Sequence, residues 1–294
     1  MCDEMTEAEN AAWARNKGLN RRDFATMGAS AAALSMLPGC TTASEASGPV
    51  TMSRTVTIDT PDGKADAFFV YPSKGKHPAV IMWPDIAGLR DAYIRMGTRL
   101  ATAGFAVLVV NQYYRSSPAP IMGSLMEWRT PEGREKLQPM IAKISPAGTI
   151  ADAGAFVAWL DGQKEVDTKK RIGSCGYCMG GPFTVRTAFA NPARVGAAAS
   201  FHGAGLAGDS PDAPSKLMAQ TKAAYLIAIA KNDDERAPDE KTALRAAADA
   251  AGRPAEIEVY PAQHGWCTVD APVYDREQAE KAWGRMLALF AANL

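Results

Sequence analysis

Short apolar runs alternate with amphipathic segments along most of the chain. Residues 54–59 and 65–71 alternate apolar and polar side chains around an Asp-Gly pair, a pattern typical of a β-hairpin. The continuous apolar runs at 79–83 and 106–110 are typical of strands that are buried on both faces of a parallel sheet. Between these two runs, residues 91–102 carry apolar side chains on a helical period and are predicted to form a helix.

The same alternation continues to the end of the chain after one irregular excursion. Residues 116–148 are rich in Pro, Gly and Met, and only their last part is predicted to be helical. The remaining elements are helices at 132–144, 149–163, 182–190, 239–251 and 278–294, and strands at 171–175, 195–201, 224–230 and 257–260. Strands that alternate with helices predict a mostly parallel sheet flanked by helices on both faces and entered through an antiparallel hairpin. This is the layout of an α/β-hydrolase fold.

The N-terminal 40 residues have the pattern of a targeting signal. Arg21 and Arg22 precede a small-residue apolar run at 25–37, which is too short to span a bilayer as a stable helix but suits a signal sequence. The pair resembles a twin-arginine export signal, so we expect a periplasmic or exported protein. A disordered N-terminal arm on a cytoplasmic protein is the alternative.

Residue Cys40 is a candidate for lipid attachment. It ends a Leu-Pro-Gly-Cys sequence that resembles a lipobox, although proline is unusual there, and ordinary cleavage before about Val50 is the alternative. A Ser/Gly/Thr-rich linker at 41–52 follows, and residues 53–294 are predicted to form a single α/β-hydrolase domain. Any membrane association is then expected only through a lipid at Cys40.

The charge of the chain argues against a polyanionic partner. Lys and Arg together number 32, Asp and Glu together also number 32, and the charges are interspersed. A neutral chain has no electrostatic reason to bind nucleic acid or an acidic membrane surface. We therefore expect a small-molecule substrate, and the sequence predicts no oligomeric state.

The sequence Gly-Tyr-Cys-Met-Gly-Gly at 176–181 lies between a predicted strand and a predicted helix. It matches G-x-S-x-G with cysteine in the place of serine, so Cys178 is the predicted nucleophile. Glycines flank such a strand-to-helix corner because side chains there would collide with the helix and with neighbouring strands. The position beside a helix N-terminus favours the thiolate.

A thiol nucleophile needs a base and a carboxylate that orients the base. His264 follows the last strand at the catalytic edge of the sheet and is the predicted base, while His202 also follows a strand and is predicted to line the pocket. His77 precedes a strand and is expected to be structural. The acidic run after strand 224–230 supplies the carboxylate, with Asp233 preferred and Asp234 as its rival. The order Cys178, Asp233, His264 is that of the α/β-hydrolase fold.

An oxyanion hole needs two backbone N–H groups that point at the developing charge. The N–H groups of Met179 and Ile86 are the candidates, since one follows the nucleophile and the other lies in the loop after strand 79–83. Cys175 and Cys178 also form a C-x-x-C pair, but Cys175 falls within a strand and no thioredoxin topology follows. No His/Cys/Asp cluster has ligand spacing along the chain, so we predict no metal and no cofactor.

These segments together resemble the dienelactone hydrolase family over about residues 52–294. The matching segments are the cysteine elbow, Pro84-Asp85-Ile86-Ala87-Gly88, Asn111-Gln112-Tyr113-Tyr114-Arg115, Ala230-Lys231-Asn232-Asp233 and His264-Gly265-Trp266. The resemblance implies that Asp85 lies beside the thiol and tunes it, and that Arg115 holds a substrate carboxylate. It also implies that Tyr113 and Trp266 contact the substrate.

The chain departs from this family at two positions. Asp85 replaces a glutamate, and residues 267–270 lack the arginine that follows the catalytic histidine in the type member. We therefore expect a hydrolase that opens a lactone or ester through a Cys-Asp-His triad and a thioester, and a lactone or ester other than the dienelactone fits these residues equally well. The alternatives are an exported carboxylesterase or acyl-transfer enzyme that uses the same residues, and a non-catalytic lipoprotein with the same fold.

Overall fold

The computed structural model describes residues 9–10 and 48–294, and the predicted twin-arginine pair and Cys40 lie outside these residues. A single eight-stranded sheet forms the centre of the domain, with the strand order β1-β2-β4-β3-β5-β6-β7-β8. The strands are β1 (Thr51–Thr60), β2 (Gly63–Pro72), β3 (Ala79–Trp83), β4 (Ala106–Val110), β5 (Ile172–Tyr177), β6 (Val195–Phe201), β7 (Ala224–Ala230) and β8 (Ala255–Tyr260).

The sheet is antiparallel only at the edge where the chain enters it. β1 pairs with β2 and β2 pairs with β4 in antiparallel register, whereas every pair from β4 to β8 is parallel. The central strands β3, β4, β6 and β7 are buried at every residue, which explains why each one is a continuous apolar run.

Nine helices lie between and beside these strands in the part of the chain after residue 48. They are α1 (Asp91–Thr102), α2 (Leu125–Trp128), α3 (Pro131–Ile141), α4 (Pro146–Asp161), α5 (Gly181–Ala190), α6 (Pro214–Leu217), α7 (Lys231–Arg236), α8 (Glu240–Ala250) and α9 (Arg276–Asn293). α4, α5 and α8 pack on one face of the sheet, and α1 and α9 cover the other. The predicted fold is confirmed: this is an α/β-hydrolase fold with helices on both faces.

Most predicted boundaries agree with the structure, and those that differ have local causes. α4 begins at Pro146, three residues before the predicted start, because the Ser145 side chain caps the helix by accepting the Gly148 N–H. β1 begins at Thr51, so the predicted linker at 41–52 overlaps the first strand. The acidic run at 231–235, to which the sequence assigned no element, lies in the short helix α7.

Two residues of the predicted signal contact the domain. The Asn10 amide donates to the carbonyl of His264 over 2.8 Å, and Glu9 accepts a hydrogen bond of 2.9 Å from the amide of Asn232. Asn10 is buried by this contact. Within the described residues, no helix has the length and apolar character needed to cross a membrane.

Candidate active site

The corner between β5 and α5 holds Cys178 in a strained backbone conformation. Cys178 has φ of 53° and begins a single 3₁₀ turn that leads directly into α5. A Cβ atom on Gly176 would overlap the carbonyl of Gly180, and one on Gly180 would overlap the carbonyl of Trp83. Glycine at these positions therefore lets the turn pack against itself and against β3, which raises the thiol above the carboxyl edge of the sheet.

His264 is held beside this thiol by two residues of α7. Its ring Nδ1 lies 2.7 Å from Oδ2 of Asp233, and its backbone N–H donates to the Asn232 side chain over 2.8 Å. Asp234, the rival candidate, pairs with Lys241 at 2.5 Å instead. Of the two carboxylates, Asp233 is thus the one that contacts the histidine, because the helical turn directs neighbouring side chains to different sides.

The charges of its neighbours favour the protonated form of His264. Complete burial favours the neutral ring, but the charges of Asp233 and of the Cys178 thiolate outweigh it and raise the pKa of His264 to about 10. Arg236 donates to the other oxygen of Asp233 over 2.7 Å and keeps that carboxylate oriented. This arrangement can store a proton on the imidazole while the sulfur carries negative charge.

A second histidine faces the same thiol. His202 follows β6 with φ of 40°, is buried, and has its ring 4.8 Å from that of His264, measured between centroids. Burial lowers the pKa of His202 and outweighs the hydrogen bond with Cys178, which acts in the opposite direction, so the site favours the neutral ring. His202 lines the cavity over Cys178 together with His264, and its predicted contact with substrate stays a prediction.

Trp266 lies behind His202 rather than in the cavity. Its ring is 5.2 Å from that of His202 in an edge-to-face arrangement and stacks on Tyr260, and the side chain is fully buried. The predicted contact of Trp266 with substrate does not fit this position, because two aromatic neighbours cover the ring. Its contribution is to hold His202 in place.

The candidate oxyanion loop packs against the elbow. Ile86 and Met179 belong to the same buried apolar cluster as Cys178. Tyr113 is buried, and its hydroxyl donates to the carbonyl of Ile86 over 2.7 Å. This hydrogen bond fixes the position of the loop. Tyr113 therefore reaches the site through the loop, whereas the sequence predicted a contact with the substrate.

Asp85 lines the cavity over Cys178, and its carboxylate is bound by Arg90. The Arg90 guanidinium donates to both carboxylate oxygens of Asp85 at 2.7 and 2.9 Å, and to both oxygens of Asp270 at 2.8 Å. The side chain of Arg90 is 1% exposed. The sequence alone does not reveal the role of this guanidinium, because neither Arg90 nor Asp270 belongs to a recognisable motif.

Arg115 lies in an ion-pair network with two carboxylates. It donates to Asp62 and Asp152, with its shortest contacts at 2.7 and 2.8 Å, and to the carbonyl of Gly148. These bonds occupy the guanidinium and join the β1–β2 hairpin to α4. In the structure Arg115 therefore binds carboxylates of the protein, where the sequence predicted that it would bind a substrate carboxylate. The arginine that lines the cavity is Arg129.

The cavity over the thiol is small. Its free volume is about 20 Å³, room for about one water molecule. Its lining comprises Asn10, Asp85, Leu125, Arg129, Cys178, His202, His264, Gly265, Thr268, Ala271, Pro272 and Val273. Several of these residues come from the loop after β8, which has no sequence motif beyond His264 itself.

Comparison with known proteins places this chain in a defined family. Residues 65–294 match the family model described as "Dienelactone hydrolase family". Relatives named "Putative carboxymethylenebutenolidase" include one from Methylorubrum extorquens, 28% identical over 79% of this chain and 78% of the relative. Another, from Escherichia coli K12, is 27% identical over 74% of this chain and 78% of the relative.

A solved structure shows the same fold. The crystal structure named "Putative Dienelactone Hydrolase" from Klebsiella pneumoniae is 25% identical, covers 82% of this chain and 99% of its own, and superposes with a TM-score of 0.70.

Proposed function

The chain belongs to the dienelactone hydrolase family, and on that basis we propose that it hydrolyses a lactone or carboxylic ester through a thioester on Cys178. The observation that carries this proposal is the buried pair of His264 Nδ1 and Asp233 Oδ2 at 2.7 Å, beside a thiol on a strained elbow. Because Nδ1 is bound to Asp233, Nε2 is left for the proton of the nucleophile.

The acylation step uses the charge distribution of the site. His264 takes the proton of Cys178, and the thiolate attacks the substrate carbonyl carbon. The N–H groups of Ile86 and Met179 hold the oxyanion, each such donor contributing about 3–4 kcal/mol in comparable sites. When the tetrahedral intermediate collapses, the carbon–oxygen bond breaks and His264 returns its proton to the departing alkoxide.

The deacylation step reuses the same base. Neutral His264 takes a proton from water, the hydroxide attacks the thioester carbonyl, and the thiolate leaves. In a lactone the alcohol remains part of the acyl chain, so hydrolysis of the thioester releases a single hydroxy acid. No part of the cycle calls for a cofactor.

The position of Arg115 favours a second candidate substrate class. Because Asp62 and Asp152 occupy its guanidinium, the predicted anchor for a substrate carboxylate is engaged elsewhere. A neutral ester or lactone needs no such anchor, so a general carboxylesterase that uses the same triad is the alternative to a dienelactone hydrolase.

The N-terminal sequence leads to a proposal on location. The twin-arginine pair at Arg21 and Arg22 supports export to the periplasm, with lipidation at Cys40 or ordinary cleavage before about Val50 as the two routes of processing. The mass of the protein recovered from a periplasmic fraction, compared with that of an Arg21→Lys/Arg22→Lys variant, separates these routes from retention in the cytoplasm.

The activity is tested by ring opening of a dienelactone, followed by ultraviolet absorbance, and by cleavage of an uncharged aryl ester. Cys178→Ala is the test variant, and Cys175→Ala, at a buried thiol within β5, is the matched control. The mechanism is supported if Cys178→Ala loses both activities and Cys175→Ala keeps them. Cleavage of the aryl ester alone by the wild type selects the carboxylesterase. Turnover that persists in Cys178→Ala overturns the mechanism, and no turnover by any form supports the non-catalytic lipoprotein.

A further inference from the structure

Three side chains with metal-binding atoms converge above the elbow. Cys178, His202 and His264 each direct one donor atom into the site, and all three atoms lie within 4.8 Å of one another. The three residues come from different loops, after β5, β6 and β8 respectively. All three side chains are buried, so water competes weakly for their lone pairs.

His202 is suited to act as a ligand. It is 1% exposed, and within the described residues the Cys178 thiol is the one group that bonds to its ring, so one of its two ring nitrogens has no partner. A buried ring nitrogen without a partner costs free energy, so its retention at this position needs a reason. The neutral form of an imidazole ring offers one nitrogen lone pair to a cation.

His264 is held in the way that metal-binding histidines are held. Its Nδ1 is bound to the Asp233 carboxylate at 2.7 Å, which leaves Nε2 as the nitrogen directed away from that pair. A carboxylate on the far nitrogen fixes the ring and increases the basicity of the ligating nitrogen, a pattern common behind zinc-binding histidines.

The cavity is of a suitable size for an ion. Cys178, His202 and His264 all line it, and its free volume of about 20 Å³ admits about one water molecule or one ion of similar size. Zinc is bound by thiolate at about 2.3 Å and by imidazole at about 2.0–2.1 Å, so donors that lie within 4.8 Å of one another need only small side-chain movements.

We propose that Cys178, His202 and His264 supply three protein ligands to a four-coordinate site for a divalent cation, Zn²⁺ in particular, with water as the fourth ligand. One thiolate and two imidazoles select zinc over magnesium or calcium, which prefer oxygen donors. Zinc binding releases the proton of His264 to solvent, and the bound ion then takes up the sulfur and imidazole lone pairs that attack and proton transfer require. The ion is thus an inhibitor of hydrolysis. This consequence rests on the proposed function, whereas the existence of the zinc site does not depend on it.

The test measures binding directly on the full chain, after treatment with a chelator. Zn²⁺ is titrated by calorimetry, and Co²⁺ is used as a spectroscopic probe whose thiolate charge-transfer absorption reports a bond to sulfur. The variants are Cys178→Ala and His202→Asn, and His77→Asn is the control, since His77 lies in a bridge beside β3 at the opposite edge of the sheet. A thermal melt of each variant shows that it is folded.

We expect one Zn²⁺ per chain, a thiolate band with Co²⁺, and an affinity at least about tenfold weaker in Cys178→Ala and in His202→Asn. The His77→Asn protein should bind as the wild type does. Equal affinity of the wild type and a folded His202→Asn protein overturns the proposal, as does Co²⁺ binding without the sulfur band. Because binding is measured without substrate, failure of the site and failure of the hydrolase proposal are distinguishable.

Discussion

Asp233 and His264 form a buried pair in which the carboxylate Oδ2 lies 2.7 Å from the ring Nδ1. Asn232, the neighbour of Asp233 in α7, accepts the backbone N–H of His264 over 2.8 Å. Two consecutive residues thus hold the side chain and the backbone of the same histidine. The short helix after β7 therefore determines both the orientation and the charge of the candidate base.

The first prediction separates the two acidic candidates. Asp233→Asn removes the charge that orients His264 and should lower kcat for an aryl ester by about 10⁴-fold, as loss of the orienting carboxylate does in other triads. Asp234→Asn, which breaks only the pair with Lys241, should stay within about tenfold of the wild type. Equal losses in the two variants would assign the orienting role to neither residue specifically.

The second prediction concerns stability and pH. The pKa of His264 is raised from 6.5 to about 10, so above pH 6.5 the folded chain retains a proton that the unfolded chain releases. The stabilisation is complete below pH 6.5 and is lost as the pH rises, by at most about 1.4 kcal/mol per unit.

This effect is measured in a Cys178→Ala background, which removes the titration of the thiol and leaves Asp233 to raise the pKa of His264. The free energy of unfolding of Cys178→Ala should fall between pH 6.5 and 9 relative to that of Cys178→Ala/His264→Gln. Parallel curves for the two proteins would show that His264 is not held in its charged form by Asp233.

The third prediction tests the close packing at the elbow. Gly176→Ala places a Cβ against the carbonyl of Gly180 and should lower the free energy of unfolding by more than about 3 kcal/mol, since backbone atoms have to move. Gly154→Ala, in the middle of α4 with no atom within 4 Å of the new Cβ, should raise it by about 0.5–1 kcal/mol. Denaturant unfolding of both variants checks the contrast.

The fourth prediction concerns the Arg90 guanidinium, which binds the carboxylate of Asp85. Arg90→Met leaves the carboxylates of Asp85 and Asp270 without their shared partner and should cost about 3–5 kcal/mol of stability. Lys64→Met, which breaks an exposed pair with Asp59, is the matched control, and its free energy of unfolding should be close to that of the wild type. A small effect of Arg90→Met would mean that water reaches these carboxylates.

The fifth prediction concerns Asn10. Its side chain lines the cavity over Cys178 and donates to the carbonyl of His264. Asn10→Ala in the full chain should open the cavity, so alkylation of Cys178 by iodoacetamide, followed by peptide mass spectrometry, should be several times faster. Asn293→Ala, at the far end of α9, is the control. An unchanged rate would show that the N-terminal contact does not limit access to the thiol.

The fold could be predicted because its signals are local. β3, β4, β6 and β7 were predicted at their observed bounds. A strand that is buried on both faces is an apolar run, and polar residues or turns mark its two ends. The boundary of α4 was missed because a Ser-Pro start depends on one capping hydrogen bond rather than on periodicity.

The site was only partly predictable. The elbow and the order of Cys178, Asp233 and His264 follow from position along the chain. The partners of Arg115 do not, since Asp62 and Asp152 lie far from it in sequence, and a guanidinium binds whichever carboxylate the fold brings near. The cluster of Cys178, His202 and His264 was missed for the same reason, because its donors come from three loops and have no spacing in common.

The sequence alone determined the α/β-hydrolase fold, the family and the candidate nucleophile. Apolar periodicity and a glycine-flanked corner are both contained in short stretches of sequence and can be read without the fold. Tertiary structure alone decided that Arg90 binds Asp85, that Trp266 packs behind His202, and that Asn10 meets the loop of His264. Pairings of this kind depend on distances between loops at one edge of the sheet, and those distances exist only once the parallel strands have aligned their carboxyl ends.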